Sequence, residues 1–127
     1  MHETHPASIA VTQVKNCLIV ALGDDLSGGA LDEVKRLVLQ SIHEKGCRTI
    51  IFEFSSLKFI DSAEFNALKT VSKMAMALGA KSIFVGLSPG IVFHLMTADV
   101  DTTGVCAALD LNEALERLGI TNVASAN

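Results

Sequence analysis

Apolar residues along this chain recur with two different spacings. Short apolar or alternating runs, which are typical of strands, occupy five segments: 9–14, 17–22, 49–54, 82–85 and 107–109. Elsewhere apolar residues recur every three or four positions, as on one face of a helix, over 31–42, 65–78, 91–96 and 111–118. The resulting order, β-β-α-β-α-β-α-β-α, predicts an α/β fold in which helices pack on a mixed, mostly parallel sheet.

Residues that start and stop helices support these boundaries. Gly46 stands where the first helix should end, because glycine readily adopts the left-handed conformation that closes a helix. Ser88 followed by Pro89 has the order of an N-cap and a first helical residue, which predicts the start of the third helix. Asp110 and Glu113 have the spacing of a capping box, which predicts the start of the last helix.

The chain has the size of one domain. It contains 127 residues, of which 50% are hydrophobic, and this is enough to bury a core without disulfides or metals. We expect the domain to span 9–120, with unpacked tails at 1–8 and 121–127.

Charge and cysteine content narrow the functional classes. The net charge of −4 comes with no cluster of lysine or arginine, so neither nucleic acid nor an anionic membrane is an expected partner. The three cysteines are odd in number and widely separated, which predicts free thiols in a reducing compartment. We find neither a secretory leader pattern nor an apolar run of membrane-spanning length, and we therefore expect a cytoplasmic protein.

The most informative segment joins the third strand to the second helix. Asp61 and Glu64 have capping-box spacing, which makes Asp61 the predicted N-cap and places Ser62, exposed, in the first helical turn. Free backbone amides and the helix dipole would stabilise a phosphate on Ser62 at that position. The added charge, beside Asp61 and Glu64, would repel a partner that had docked on the neutral form. Alternatively, Ser62 is simply a favourable residue for starting a helix.

Other candidate chemistry is weaker. Asp24 and Asp25 resemble the acidic pair of a phosphate-receiver domain, but the aspartate and lysine that such a domain needs at later strand ends are missing, so a solvated turn is expected. The histidines form no metal-ligand spacing with cysteines, and His94 is expected in the core or at its rim. Glycines within 23–29 match no nucleotide-binding motif, and Ser62 lacks the context of a nucleophile elbow. We therefore predict no enzyme activity, no cofactor and no metal site.

Several segments together resemble STAS domains, the fold shared by anti-sigma-factor antagonists. The main one is the run IIFEFSSLKFIDS over 50–62, in which strand residues lead to an acidic residue, a short serine turn, an apolar pair and Asp-Ser. Further similarity, to RsbS-type stressosome proteins, lies in 16–20, 78–81, 86–89 and 108–111. The resemblance implies that the domain is a single STAS domain.

The resemblance also implies a function without catalysis. In this family a switch-type serine kinase phosphorylates the serine of Asp-Ser, which corresponds to Ser62. Asp61 would cap and orient the helix, and Ala63 and Glu64 would form the adjoining contact surface. RsbS-type proteins are scaffolds that hold a serine kinase of the RsbT type in a large cytoplasmic complex with STAS-containing co-antagonists of the RsbR type, and release it on phosphorylation. Homo- and hetero-oligomers are therefore expected.

Two positions depart from the usual family pattern. Many sigma-antagonist STAS domains follow Asp-Ser with Ser/Thr-Gly, whereas Ala63 and Glu64 stand here, which favours the stressosome branch. The acidic strand residue, usually aspartate, is Glu53, to which we assign no role. Two alternatives stay open: a stand-alone antagonist that binds an anti-sigma kinase directly, and a hydrolase or ligand-binding domain that uses the strand ends. Whether Ser88 is a second phosphorylation site also stays open, with an N-cap as its default role.

Overall fold

The computed structural model of the protein describes residues 9–120. Within that range the strands are β1 (Ile9–Val14), β2 (Cys17–Leu22), β3 (Thr49–Glu53), β4 (Lys81–Val85) and β5 (Ala107–Ala108). The helices in the same range are α1 (Ala30–Lys45), α2 (Ser62–Ala77), α3 (Pro89–Thr97) and α4 (Leu111–Arg117). This order confirms the predicted α/β fold. The tails predicted at 1–8 and 121–127 lie outside the described residues.

The strands form one sheet in the order β1-β2-β3-β4-β5. β1 and β2 are antiparallel and are joined by a tight turn at Lys15 and Asn16, in which Lys15 adopts a positive φ of 55°. β2 to β5 run parallel to one another, and a helix lies in each connection between them. The sheet is therefore mixed and mostly parallel, as predicted.

Side chains alternate between the two faces of the sheet, and each face has its own core. Ile50 and Phe52 of β3 point to the face covered by α1, α2 and α3, while Ile51 between them points to the other face. Among the described helices, α4 alone covers that second face, through Ala114, and Ile120 follows it there. Both faces of the central strands are buried, which explains why their sequences are apolar without alternation.

Four phenylalanines around β3 and β4 form the part of the core that positions the candidate site. The ring centroid of Phe84 on β4 lies 5.3 Å from that of Phe52 on β3. It also lies 5.4 Å from the centroid of Phe54, just after β3, and 5.7 Å from that of Phe65, near the start of α2. Phe84 therefore holds both ends of the connection between β3 and α2.

The last helix departs in part from its predicted capping box. Asp110 is the N-cap, as predicted, and its carboxylate accepts the backbone amide of Glu113 at 2.9 Å. The Glu113 carboxylate, however, accepts the amide of Leu109, the residue before the N-cap, rather than that of Asp110. This bond ties the start of α4 to the end of β5, which stops one residue earlier than predicted.

The other predicted helix ends are confirmed. Gly46 is the C-cap of α1, with a φ of 66°, and its amide donates to the carbonyl of Ser41. Ser88 is the N-cap of α3 and Pro89 its first residue. Within residues 9–120, no helix combines the length and the apolar character that crossing a membrane requires.

Candidate functional site

The connection between β3 and α2, residues 54–61, is anchored to the core by every third residue. Phe54, Leu57 and Ile60 are buried. The amide of Leu57 donates to the carbonyl of Phe54 at 2.9 Å, so the chain turns between the first two anchors. The residues between the anchors are exposed: Ser55, Ser56, Lys58 and Phe59. The connection is therefore held in place while it presents these side chains to solvent.

α2 begins with the capping box that the sequence predicts. Asp61 is the N-cap, and its carboxylate accepts the backbone amide of Glu64 at 2.7 Å. In return, the Glu64 carboxylate accepts the backbone amide of Asp61 at 3.0 Å. An N-cap bond of this kind typically contributes about 1 kcal/mol to helix stability. The path of the chain into the helix is therefore well defined.

Ser62 is the first residue of α2, and its burial differs from the prediction. Its side chain is partly buried rather than fully exposed, because the buried Ile60 and Phe65 hold the first turn against the core. Its hydroxyl has no hydrogen-bond partner within residues 9–120. In the same range the backbone amides of Ser62 and Ala63 are also unpaired, since the first intrahelical bond runs from Phe65 to the carbonyl of Asp61 at 3.0 Å.

The electrostatic groups around Ser62 have opposing effects on an added anion. The unpaired amides of Ser62 and Ala63 stand at the positive end of the helix dipole, which favours a negative charge by about 0.3–1 kcal/mol. The carboxylates of Asp61 and Glu64 flank the same position. A phosphate on Ser62 is therefore compatible with the helix, yet it adds about two negative charges to a surface that already carries two carboxylates.

An exposed aromatic residue, Phe59, lies close to this helix start and was not singled out from the sequence. Phe59 is 55% exposed, although its neighbour Ile60 is buried. Its ring centroid lies 5.3 Å from that of His94 on α3. His94 is partly buried, as expected for the rim of the core. Its Nε2 atom is buried and has no hydrogen-bond partner in the described part of the chain.

A comparison with protein-family models bears on this arrangement. The family model of the STAS domain matches residues 8–114, a range that includes every described strand and the helix start at Asp61 and Ser62. The chain belongs to the STAS-domain family. A search of curated proteins finds no match to it.

Solved structures with this fold include proteins of two related kinds. A serine-to-glutamate variant of RsbS from Moorella thermoacetica is 22% identical, with a TM-score of 0.74, and the match covers 89% of this chain and 96% of that one. A stressosome structure is 24% identical, with a TM-score of 0.74 and coverage of 87% and 96%. The anti-sigma factor antagonist SpoIIAA in its unphosphorylated form is 19% identical, with a TM-score of 0.69 and coverage of 87% and 97%. At these identities the likeness shows the fold.

Glu53, which the sequence left without a role, ties the connection of this STAS domain to the sheet. Its carboxylate accepts both the hydroxyl of Ser55 and the backbone amide of Ser55, the latter at 3.3 Å. This turn ends β3 at Glu53, one residue earlier than predicted. Gly86, just after β4, packs against the pair: its φ is 74°, and a Cβ there would lie 3.0 Å from the Glu53 carboxylate and 3.1 Å from the Ser55 nitrogen. Only glycine allows this close approach without displacement.

Replacing Gly86 by alanine is expected to lower the free energy of unfolding by about 2–3 kcal/mol, because positive φ and crowding act together. Urea denaturation measures the loss. Gly28→Ala is the matched control, since Gly28 has a φ of 70° but no atom within 4 Å of the added Cβ. Its expected loss is about 1 kcal/mol, from the backbone alone. Equal losses in the two variants would contradict a role for the contact with Glu53.

The remaining polar candidates have local structural roles. Asp24 and Asp25 are exposed, and the Asp25 carboxylate accepts the hydroxyl of Ser27 at 2.7 Å and its amide at 3.0 Å, as in a solvated turn. These hydrogen bonds lower the pKa of Asp25. The Ser88 hydroxyl accepts the amide of Ile91 at 3.2 Å, which is its default role as N-cap. No group of three His, Cys, Asp or Glu side chains suited to a metal ion occurs within residues 9–120.

The three cysteines of the STAS domain are free thiols, as predicted. Cys17 and Cys47 are buried, and Cys106 is exposed. Burial, with a smaller contribution from Cys47, raises the pKa of Cys17 to about 11. Because only the thiolate is a strong nucleophile, Cys17 is chemically inert at neutral pH.

Proposed function

We propose that this STAS domain is a non-enzymatic antagonist and scaffold that docks a switch-type serine kinase, of the RsbT type, on the start of α2. The unphosphorylated domain holds the kinase, and a phosphate on Ser62 releases it. One observation carries the proposal: a hydroxyl without a hydrogen-bond partner among the described residues stands on a capped helix start, between the carboxylates of Asp61 and Glu64.

The geometry of Ser62 suits phosphoryl transfer from ATP. The Ser62 oxygen forms a bond to the γ-phosphorus while the bond from that phosphorus to the β-phosphate oxygen breaks, ADP leaves, and the hydroxyl proton passes to a base of the kinase. No hydrogen bond to another described residue has to be broken first. Afterwards the unpaired amides of Ser62 and Ala63, at the same helix end, offset part of the new charge.

Release of the kinase follows from the charge that the phosphate adds. Asp61 and Ala63 are exposed beside Ser62, and with Glu64 they form the surface on which the kinase docks. A phosphate places about two further negative charges there. A partner that packs against the neutral serine would have to take these charges out of water without a pairing group, which costs several kcal/mol.

Two structural neighbours support a place in a larger assembly. One neighbour is a stressosome structure and another is RsbS, and both match over most of this chain. We therefore propose that the domain assembles with STAS-containing co-antagonists of the RsbR type. The likeness to SpoIIAA favours a second candidate, a stand-alone antagonist that binds an anti-sigma kinase directly. Light scattering on the mixture with its partners separates the two, because the first forms a very large particle and the second a small complex.

Incubation with a switch-type serine kinase, ATP and Mg²⁺ is expected to add one phosphate per chain, as measured by intact mass, and peptide mapping should locate it on Ser62. Ser62→Ala should abolish the addition. Ser88→Ala is the matched control, because Ser88 is also a partly buried serine at a helix start but caps its helix. Phosphate that persists in Ser62→Ala, or that is located on Ser88, would contradict the proposal.

A further inference from the structure

A cavity of about 200 Å³ lies between the later turns of α2, the end of β4 and the loop before β5. Its apolar wall consists of Met76, Phe84 and Val105. Its polar rim includes Lys69 and Lys73. None of the residues at the start of α2 lines it, so the cavity is separate from the Ser62 site.

α2 carries two stripes, that is, two rows of side chains along its length. One stripe packs in the core, and the second lies beside it and lines the cavity. Residues of this stripe follow the spacing i, i+3, i+4 and i+7 along one helix face: Lys69, Ser72, Lys73 and Met76. The core stripe of the same helix is formed by other residues: Phe65, Leu68, Val71 and Ala75. Two lysines and a methionine are therefore directed to one recess that the core does not fill.

The rim of the cavity carries more positive than negative charge. The ammonium of Lys69 donates to the backbone carbonyl of Asp101. Lys73 has no hydrogen bond or ion pair within residues 9–120. Asp101 is not part of the cavity lining, and its carboxylate accepts the amide of Thr103 at 2.9 Å. Hydrogen bonds from Thr103 first, and then the charges of Lys69 and Lys73, lower the pKa of Asp101. The residues that line the cavity thus include two lysines and no acidic residue, in a chain whose net charge is −4.

We infer that this cavity binds a small amphipathic anion, a single ring or short chain that carries one phosphate or carboxylate group. The wall of Met76, Phe84 and Val105 contacts the apolar part, and the ammonium of Lys73 pairs with the charged group. An apolar cavity of about 150 Å³ holds a benzene ring, so one of about 200 Å³ has room for a ring with a charged substituent. This inference does not rest on the docking of a kinase or on phosphorylation of Ser62.

The test is a titration of the unphosphorylated full chain with phenyl phosphate, followed by ¹H–¹⁵N NMR. Saturable shifts are expected at the amides of Ser72, Gly104 and Val105, with a dissociation constant of about 1 mM or lower. Phenol lacks the charge and inorganic phosphate lacks the ring, and each alone should bind more weakly by about tenfold or more. No saturation, or equal binding of phenol, would overturn the inference.

Lysine variants test whether the ammonium of Lys73 pairs with the charged group of the ligand. Lys73→Gln is expected to weaken phenyl phosphate binding about tenfold, and Lys73→Arg, which keeps the charge, should retain most of it. Lys35→Gln removes the same charge from an exposed position on α1 and should leave binding unchanged. Equal weakening by Lys73→Gln and Lys35→Gln would mean that only net charge matters, and would also overturn the inference. Because no kinase is present, a negative result leaves the proposed function untouched.

Discussion

A Ser62→Asp variant is expected to bind the serine kinase at least about 100-fold more weakly than the wild-type domain. The new carboxylate stands next to Asp61 and in the same helical turn as Glu64, so three negative charges meet at the docking surface. Docking would take this additional unpaired charge out of water, which costs several kcal/mol, and about 2.7 kcal/mol already corresponds to a hundredfold change in affinity. Isothermal titration calorimetry at low and at high salt measures both the loss and its electrostatic part.

Two matched variants distinguish the effect of the added charge on kinase binding from the effects of side-chain shape and of altered folding. Ser62→Asn has a side chain of the same size as aspartate without the charge, and it should bind close to the wild-type level. Asn112→Asp places the same charge in the first turn of α4, on the other face of the sheet, and should leave kinase binding unchanged. Aspartate at a helix start stabilises the helix by about 0.3–1 kcal/mol, so Ser62→Asp itself should fold normally. Wild-type affinity in Ser62→Asp would count decisively against release by phosphorylation.

Replacing Phe84 by alanine is expected to lower the free energy of unfolding by about 3–5 kcal/mol, the largest loss that we foresee for a single substitution. Phe84 is 1% exposed, and its ring contacts those of Phe52, Phe54 and Phe65. Its removal leaves a cavity among rings that belong to two strand ends and a helix. Urea denaturation of the purified variant measures the change.

Phe93→Ala is the control for Phe84→Ala. Phe93 lies on α3 and is 69% exposed, so its truncation should change the free energy of unfolding by less than about 0.5 kcal/mol. A loss below about 1.5 kcal/mol in Phe84→Ala would show that the core around it relaxes easily. In that case Phe84 could not be what holds the connection between β3 and α2 in place.

Features set by neighbours in sequence were predicted well. Asp61 and Glu64 are three residues apart, and both bonds of their capping box form within one helical turn, so their spacing alone was informative. The strands and helices followed in the same way from apolar periodicity, and the STAS family match confirmed the fold. The bond that Glu113 makes to Leu109 instead of Asp110 shows the limit, since two adjacent amides compete for one carboxylate.

Features set by distant parts of the chain escaped prediction. The contact between Phe59 and His94 joins residues from the connection and from α3, and no local pattern separates the exposed Phe59 from the buried Ile60. The close packing of Gly86 against Glu53 and Ser55 joins residues that follow two different strands. The partial burial of Ser62 likewise depends on how its turn lies on the core. Tertiary packing decides each of these three features. The residue types alone are compatible with the presence or the absence of each feature.

The second face of the sheet, covered by α4, has a practical consequence for where this domain can be cut. The family match ends at residue 114, but Leu115, Leu118 and Ile120 also pack on that face. A fragment ending at 114 would keep all five described strands but only the first turn of α4, and it would lose part of the apolar cover of Ile51, Ile83 and Val85. Two such fragments would bury the newly exposed apolar surface against each other, so a truncated domain would dimerise or precipitate for reasons unrelated to its biology.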